Sequence, residues 1–238
     1  MVTIQQKIAD NVASVNDRVA EAARNCGRDP SAITVVAVTK YVDAELTSYL
    51  LDAGVVDLGE NRPQQMWEKA EALRQRTVRW HQIGHLQRNK LKRTMPLVHL
   101  FHAGDSMRIL KAANEHALES NSQTALLLEV NVSGDTEKHG FTTAELTEAL
   151  PEIGELQGIE VRGLMGMASR IGGLDSAQRD FASLAEIREQ LLSACPASIE
   201  LHELSMGMSG DFEVAIAQGA TIVRIGSAFF DGVLKAKG

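Results

Sequence analysis

The sequence predicts a (β/α)8 barrel, in which eight parallel strands close into a cylinder and alternate with helices. Eight short apolar segments rich in β-branched residues recur along the chain, and segments with helical periodicity separate them. Strands that are apolar along their whole length are typical of parallel sheets covered by helices on both faces. The chain has 238 residues, close to the length that one such barrel needs. An open doubly wound sheet is the alternative arrangement.

The elements follow one another in a regular order. An amphipathic helix is predicted over residues 3–25, where apolar residues recur at helical spacing and Gly27 can end the helix. Strands are predicted over residues 33–38, 55–58, 78–83, 97–101, 125–132, 159–165, 199–204 and 221–225. Helices are predicted over residues 43–53, 61–75, 86–93, 105–119, 142–156, 174–193, 210–218 and 227–236. Asp43 and Asp105 are expected to cap helices, and Thr142 with Glu145 matches a capping box.

Composition and charge exclude several classes of function. The formal net charge of −7 argues against general binding to nucleic acid or to an anionic membrane surface. No apolar segment approaches the ~18 residues needed to span a bilayer, and no signal-peptide pattern opens the sequence. Cys26 and Cys195 lie far apart and match no metal or redox motif. We therefore expect a cytosolic protein with reduced thiols, forming one domain over residues 1–238 without a Gly/Ser/Pro-rich linker.

Polar residues follow most of the predicted strands. In barrels of this class the chemistry takes place on the loops at the carboxyl ends of the strands. The residues at these positions are Thr39-Lys40, Gly59-Glu60-Asn61-Arg62, Gly84-His85, Asn131 with Ser133-Gly134-Asp135, Ser205-Met206-Gly207-Met208-Ser209-Gly210, and Arg224 with Gly226-Ser227. We expect these groups to converge on one mouth of the barrel.

Three features of this set point to a cofactor. Lys40 ends the apolar segment VVAVTK, where an ammonium group costs free energy and a desolvated amine suits Schiff-base formation. The loops after the last two strands carry glycines and the hydroxyl groups of Ser205 and Ser227, as in barrels that bind phosphate there. Arg224 lies within an apolar strand and needs a partner. Pyridoxal 5′-phosphate (PLP) offers an aldehyde, a phosphate and a ring nitrogen to these three features. Each feature also has a structural alternative. Lys40 could be a strand-end lysine in solvent, the two loops could be ordinary turns, and Arg224 could pair with a carboxylate.

Other groups of polar residues give weaker indications of function. His81 and His85 are four residues apart on a strand without a third ligand nearby, so we predict no metal site. His99, His102 and His202 are expected to be core or edge histidines. A hydrolase is not favoured, because the G-x-S-x-G motif is missing from the sequence.

Seven segments of the sequence resemble the PLP homeostasis protein family. They are VAVTK, LGEN, WHQIGHLQRNK, EVNVSGDTEKHGF, RGLMGM, LSMGMSGDFEVAIAQGAT and VRIGSAFF, and they span residues 33–230 in the family's order and spacing. The resemblance implies a single barrel similar to the N-terminal domain of alanine racemase. The sequence departs from the family in having Arg62 after GEN, where many relatives have an aromatic residue, and in the SAFFDG ending.

The resemblance also implies roles for individual residues. Lys40 would form the internal aldimine with PLP, and Arg224 would face the pyridine nitrogen. Ser205, Gly226 and Ser227 would hold the phosphate. The remaining residues expected to line the cofactor site are Asn61, His85, Met206 and Gly207.

The family's function is PLP homeostasis, so we expect a monomeric carrier of PLP without robust catalysis. Its partners would be PLP and the apo forms of PLP-dependent enzymes. An arginine facing the ring nitrogen discourages its protonation and makes the ring a weaker electron sink. A PLP-dependent amino-acid racemase is the alternative, but it needs acid/base groups on both faces of the cofactor. Tyr41 and Tyr49 are the only tyrosines, and Tyr41 is expected to point away from Lys40 if the strand continues. A cofactor-free scaffold for partner proteins is a third reading.

Overall fold

The computed structural model of the chain is a closed barrel of eight parallel strands in the order β1 to β8. The structure describes residues 2–133, 139–169 and 171–234. The closed order of the strands confirms the predicted (β/α)8 fold, and the open doubly wound alternative is wrong. Of the predicted site loops, Gly134 and Asp135 lie outside the described residues.

The strands and helices alternate as the sequence predicts. The strands are β1 Thr34–Val38, β2 Asp57–Glu60, β3 Arg79–Gln82, β4 Val98–Gly104, β5 Thr124–Glu129, β6 Ile159–Met165, β7 Glu203–Ser205 and β8 Ile222–Ile225. The helices are α1 Ile4–Asn25, α2 Ala44–Asp52, α3 Pro63–Ala72, α4 Arg88–Thr94, α5 Met107–Glu119, α6 Thr143–Gly154, α7 Gly173–Leu192 and α8 Phe212–Ala217.

The barrel closes where β1 pairs with β8. In this register Thr34 lies opposite Ile222 and Val36 lies opposite Arg224. The pairing places the buried Arg224 and the end of β1 on neighbouring strands. Closure therefore brings the last strand of the sequence beside Lys40, which follows the first.

Two of the three predicted helix caps are confirmed. The Asp43 side chain accepts a hydrogen bond from Leu46 N at the start of α2. Thr142 and Glu145 form a complete capping box on α6. The expectation for Asp105 was wrong, because Ser106 is the residue that precedes α5. The Asp105 carboxylate instead lies 2.5 Å from His85 Nδ1.

The predicted helix over residues 227–236 is wrong as an α-helix. A short 3-10 helix occupies Ser227–Phe230, and residues 235 and 236 lie outside the described residues. α1 contacts both α8 and α2 and so lies in the outer layer where the eighth helix of a barrel would pack. The buried Asn11 side chain on α1 donates to the carbonyls of Phe229 and Asp231, which joins α1 to the segment after β8.

The seventh strand is shorter than predicted. Residues 199–202 are not part of it, and β7 begins at Glu203. One backbone hydrogen bond, from Glu200 N to Val161 O, holds the preceding segment beside β6. Apolar character in residues 199–204 reflects burial of Ile199 and Leu201 rather than ladder pairing.

Apolar side chains fill the layer between strands and helices. Phe101, Phe181, Phe212 and Phe229 are the largest of the fully buried ones. In the described ranges, no helix combines the length and the apolar character needed to cross a lipid bilayer.

Candidate functional site

A cavity of about 520 Å³ opens at the carboxyl ends of the strands. Its volume falls in the range of roughly 300–1,000 Å³ that is usual for sites of small molecules and cofactors. The residues that line it are Val38, Lys40, Tyr41, Asn61, Ile83, Gly84, Met167, Met208, Ser209, Gly210, Arg224, Gly226, Ser227, Phe230 and Leu234. They come from six of the eight strands or the loops that follow them, as barrel topology requires.

Five of the nine residues expected at the cofactor site line this cavity. They are Lys40, Asn61, Arg224, Gly226 and Ser227. The lining does not include His85, Ser205, Met206 and Gly207.

Lys40 lies two residues beyond the end of β1 and is half-buried. Its Nζ lies 5.1 Å from the centroid of the Tyr41 ring. No carboxylate within the described ranges forms an ion pair with it. Tyr41 was expected to point away from Lys40 only if the strand continued. Strand β1 ends at Val38 and the chain turns, so that both side chains line one cavity.

Two backbone N–H groups converge on one oxygen atom at the start of the 3-10 helix. Gly226 N and Ala228 N donate to Ser209 Oγ, at 3.1 and 3.5 Å. Neighbouring N–H groups that point at one spot form an anion-binding concavity. A phosphate oxygen could take the place of the Ser209 hydroxyl, and the Ser227 side chain borders the same space.

Arg224 is buried in β8 and holds a fixed orientation. Its NH1 group donates to Ser205 Oγ at 2.6 Å, and its NH2 group donates to Gly166 O at 3.0 Å. Burial lowers the pKa of Arg224 to about 10, while the charges of Glu129 and Asp211 oppose that shift. The side chain therefore remains cationic at neutral pH. Within the described part of the chain it forms no ion pair, so the carboxylate alternative is not what the structure shows.

The loop that begins at Ser205 shapes the site from behind. Ser205 and Met206 are fully buried. Gly207 has a φ of +92°, and a Cβ there would lie 2.5 Å from Ala215 Cβ, so the turn requires glycine. Gly207 O accepts a hydrogen bond from Arg224 N, which links the loop to β8. From the sequence we expected Ser205, together with Gly226 and Ser227 of the next loop, to hold a phosphate. In the structure Ser209 rather than Ser205 faces the N–H pair, and the sequence did not single out Ser209.

Asn61 offers a buried polar atom to a ligand. Its Oδ1 atom is buried and has no hydrogen-bond partner among the described residues. A Cβ on Gly84 would lie 2.8 Å from Asn61 Cβ, so glycine lets the loop after β3 approach this residue. An amide oxygen left without a partner at the wall of a cavity is a place where a ligand can donate a hydrogen bond.

His85 lies beside the cavity in a cluster with Asp105 and His139. Ligand atoms of these three residues lie within 4.8 Å of one another. The two imidazole rings stack with an interplanar angle of 14° and a centroid separation of 4.7 Å. An imidazole lone pair lies in the plane of its ring, so stacked rings do not direct their lone pairs at a common ion.

The Glu129 carboxyl group lies in the interior near Arg224. Burial raises its pKa, the negative charge of Asp105 adds to the effect, and the nearby Arg224 and His85 oppose it, giving a value of about 7. Glu129 can therefore change its charge near neutral pH.

The groups that face the cavity fit PLP. They are the amine of Lys40, the Arg224 guanidinium, the N–H pair at Gly226 and the amide oxygen of Asn61, and the cavity has a suitable size.

Comparison with known proteins shows which family the chain resembles. The family described as "Alanine racemase, N-terminal domain" matches residues 7–232. The chain is 35% identical to a pyridoxal phosphate homeostasis protein of Aquifex aeolicus, over 93% of this chain and 96% of that protein. It is 36% identical to a pyridoxal phosphate homeostasis protein of Pseudomonas aeruginosa, over 94% of each chain.

Solved structures extend the likeness to three dimensions. PipY of Synechococcus elongatus without PLP superposes with a TM-score of 0.85 at 31% identity, covering 94% of this chain and 99% of that one. PipY with PLP bound superposes with a TM-score of 0.83 at 29% identity, over the same shares of both chains. The chain therefore belongs to the pyridoxal phosphate homeostasis protein family, whose members have the fold of the alanine racemase N-terminal domain.

Proposed function

We propose that this protein binds PLP covalently at Lys40 and takes part in PLP homeostasis in the cytosol, without robust catalysis. The observation that carries the proposal is that Lys40, Arg224 and the Gly226–Ser227 turn face one cavity. The relatives named for PLP homeostasis and the PLP-bound structure of PipY support it. Apo forms of PLP-dependent enzymes are the partners that would receive the cofactor.

Each feature of the site has a distinct task in this proposal. PLP supplies an aldehyde carbon that condenses with a neutral amine and releases water. Lys40 Nζ is the amine, and its lack of a carboxylate partner in the described ranges leaves it available. Gly226 N, Ala228 N and the Ser227 side chain bind the phosphate, which takes the place of the Ser209 hydroxyl at the N–H pair. The Asn61 amide orients the ring from the side.

The position of Arg224 argues for carrying rather than catalysis. A buried arginine facing the ring nitrogen keeps a positive charge there and disfavours protonation of the ring. The bound cofactor is then a weaker electron sink for carbanion chemistry. Tyr41, with 70% of its surface exposed, and Met208, with 42%, stand at an open mouth that would let PLP leave.

Borohydride reduction after incubation with PLP tests the covalent attachment. Reduction converts a C=N bond to a stable secondary amine, so the intact mass should rise by one pyridoxyl group, and peptide mapping should locate it on Lys40. Lys40→Ala should abolish the adduct, whereas Lys92→Ala, on the exposed face of α4, should leave it unchanged. Adducts scattered over surface lysines, or none, would contradict the proposal.

Ser227→Asp tests the phosphate assignment separately. A carboxylate beside the Gly226 turn would repel the phosphate, so we expect PLP content to fall at least tenfold. Ser227→Ala removes one donor without adding charge and should weaken binding far less. Equal PLP content in all three proteins would show that the phosphate binds elsewhere.

A PLP-dependent racemase is the second candidate, and the position of Tyr41 is what favours it. Racemisation needs an acid/base group on each face of the cofactor, and Lys40 and Tyr41 line the same cavity. The other tyrosine, Tyr49, lies on α2 and donates to Glu45. Turnover of D- or L-alanine that is lost in both Lys40→Ala and Tyr41→Phe would establish this activity, whereas no turnover leaves the carrier function.

A further inference from the structure

A row of buried hydrogen bonds crosses the barrel interior from Arg224 to the start of β2. Arg224 NH1 donates to Ser205 Oγ at 2.6 Å, and Ser205 Oγ lies 2.9 Å from His102 Nδ1. His102 Nε2 lies 2.9 Å from His81 Nδ1, and His81 Nε2 lies 3.0 Å from Asp57 Oδ1. None of the five residues is more than 8% exposed.

The chemistry of its two ends gives this row a direction. A guanidinium group has donors only, so Arg224 must donate to the Ser205 hydroxyl oxygen. The Ser205 hydroxyl can then donate its own proton to His102 Nδ1. His102 in turn donates from Nε2 to His81 Nδ1, and His81 donates from Nε2 to the Asp57 carboxylate. Each donor meets one acceptor, and both imidazoles are neutral with the proton on Nε2.

The reverse assignment leaves a buried proton without a partner. If His102 Nδ1 carried the proton, it would be a second donor to the Ser205 oxygen beside Arg224. The Ser205 hydroxyl proton would then find no acceptor in the row, although the residue is fully buried. His81 would also have to be an imidazolium, while the Asp57 carboxylate is already paired with Arg79.

Burial and charge favour the same protonation states. Burial moves the pKa of His102 well below its ordinary value, and the positive charge of Arg224 acts in the same direction. Burial tends to raise the pKa of Asp57, but its hydrogen bonds with His81 and Arg79 and the charge of Arg79 outweigh burial and bring it to about 2. A neutral imidazole at His102 and a carboxylate at Asp57 are what the row requires.

We propose that Asp57, His81, His102 and Ser205 form a directional relay that positions the Arg224 guanidinium group against the ring nitrogen of PLP. The relay fixes NH1 while the Gly166 carbonyl fixes NH2, so the guanidinium plane cannot rotate. These four are positioning residues, because Arg224 alone of the row lines the cavity. The role in cofactor binding rests on the proposed function, whereas the direction of the relay does not.

Histidine tautomers in the cofactor-free chain test the direction. Long-range 1H–15N correlation spectra of the 15N-labelled protein at pH 7 distinguish a protonated ring nitrogen from a bare one. We expect protons on Nε2 and none on Nδ1 for both His81 and His102. A proton on Nδ1 of either residue, or an imidazolium at His81, would overturn the relay whether or not PLP binds.

Cofactor binding tests the positioning. His102→Phe and Ser205→Ala each leave Arg224 or its acceptor unpaired, so each should weaken PLP binding about tenfold and shift the absorption maximum of bound PLP. The double variant should show little additional loss, because both changes break one row. His202→Phe is the control, since His202 is exposed, pairs with Glu200 and contacts no residue of the row. It should change neither quantity.

The possible results separate the two proposals. Ser205→Ala is the smaller change, so it decides the question if His102→Phe does not fold. Unaltered affinity and spectrum in folded Ser205→Ala would overturn the positioning role. Failure of the unaltered chain to bind PLP would contradict the proposed function and the positioning role together. The tautomer spectra would then still decide the direction of the relay.

Discussion

At the scale of single residues, Glu129 is a carboxyl group whose environment sets its charge. It is 5% exposed and forms no ion pair with any residue that the structure describes. Burial raises its pKa to about 7, with Asp105 adding to the shift. The folded protein therefore retains a proton between about pH 4.5 and 7 that the unfolded chain releases.

This retained proton predicts a pH dependence of stability. A carboxyl group with a raised pKa makes the free energy of unfolding fall as the pH rises through this window, by up to about 3 kcal/mol for this shift. Glu129→Gln has no such group, so it should gain stability relative to the unaltered protein as pH rises from 5 to 8. Urea unfolding at both pH values measures the difference.

An exposed glutamate is the appropriate control for this experiment. Glu148→Gln, on the outer face of α6, should follow the pH dependence of the unaltered protein. If the free energy of unfolding of Glu129→Gln also followed the pH dependence of the unaltered protein, Glu129 would not titrate in the folded state near pH 7.

At the scale of elements, α3 is joined to the ends of β1 and β2 by a buried cation. Lys69 Nζ donates to Thr39 O at 2.7 Å and forms an ion pair with Glu60. The Thr39 hydroxyl donates to the same carboxylate at 2.6 Å. Because Thr39 precedes Lys40, this cluster fixes the backbone from which Lys40 enters the cavity.

Breaking this ion pair should be costly, because it leaves a buried carboxylate without a positive charge beside it. Lys69→Met is expected to lower the free energy of unfolding by about 3–5 kcal/mol. The double variant Lys69→Met/Glu60→Gln keeps an acceptor for Thr39 but removes the charge, and should recover much of that loss. Chemical denaturation of the variants measures this, and equal losses in the single and double variants would show that the charge is not the cause.

Local sequence patterns were sufficient to predict some of the helices and strands but not all of them. Strand β1, the capping box on α6 and the helix α1 were predicted to within one or two residues, because each depends on local periodicity or caps. The 3-10 helix at Ser227–Phe230 was not predicted. Helix α1 occupies the place in the outer layer where a helix following β8 would pack. That substitution depends on a contact between the two ends of the chain.

At the scale of the whole molecule, the barrel depends on a close approach of β6 and β7. Gly163 lies opposite Glu203, and a Cβ on Gly163 would lie 1.9 Å from the Glu203 carbonyl oxygen. No side chain fits there unless the two strands move apart. Gly166 directly follows β6 and Ser205 ends β7, so the two acceptors of Arg224 lie at the ends of these strands.

Gly163→Ala should therefore destabilise the barrel, by about 3 kcal/mol or more if the strands separate. Gly210→Ala is the control, because a Cβ there meets no atom within 4 Å and the residue has no positive φ. Thermal denaturation compares the two. Equal melting temperatures would mean that β6 and β7 can separate at little cost.

The sequence by itself determined the alternation of eight strands with helices, favoured the barrel, and placed Lys40, Asn61, Arg224, Gly226 and Ser227 near one mouth. These follow from apolar periodicity and from the rule that parallel strands end on one face. The tertiary structure alone decided which atoms meet. Ser205 faces Arg224 and His102, Ser209 faces the N–H pair, and Tyr41 joins Lys40. Such pairings join residues up to 103 positions apart, and their geometry depends on strand register and loop turns that no local pattern encodes.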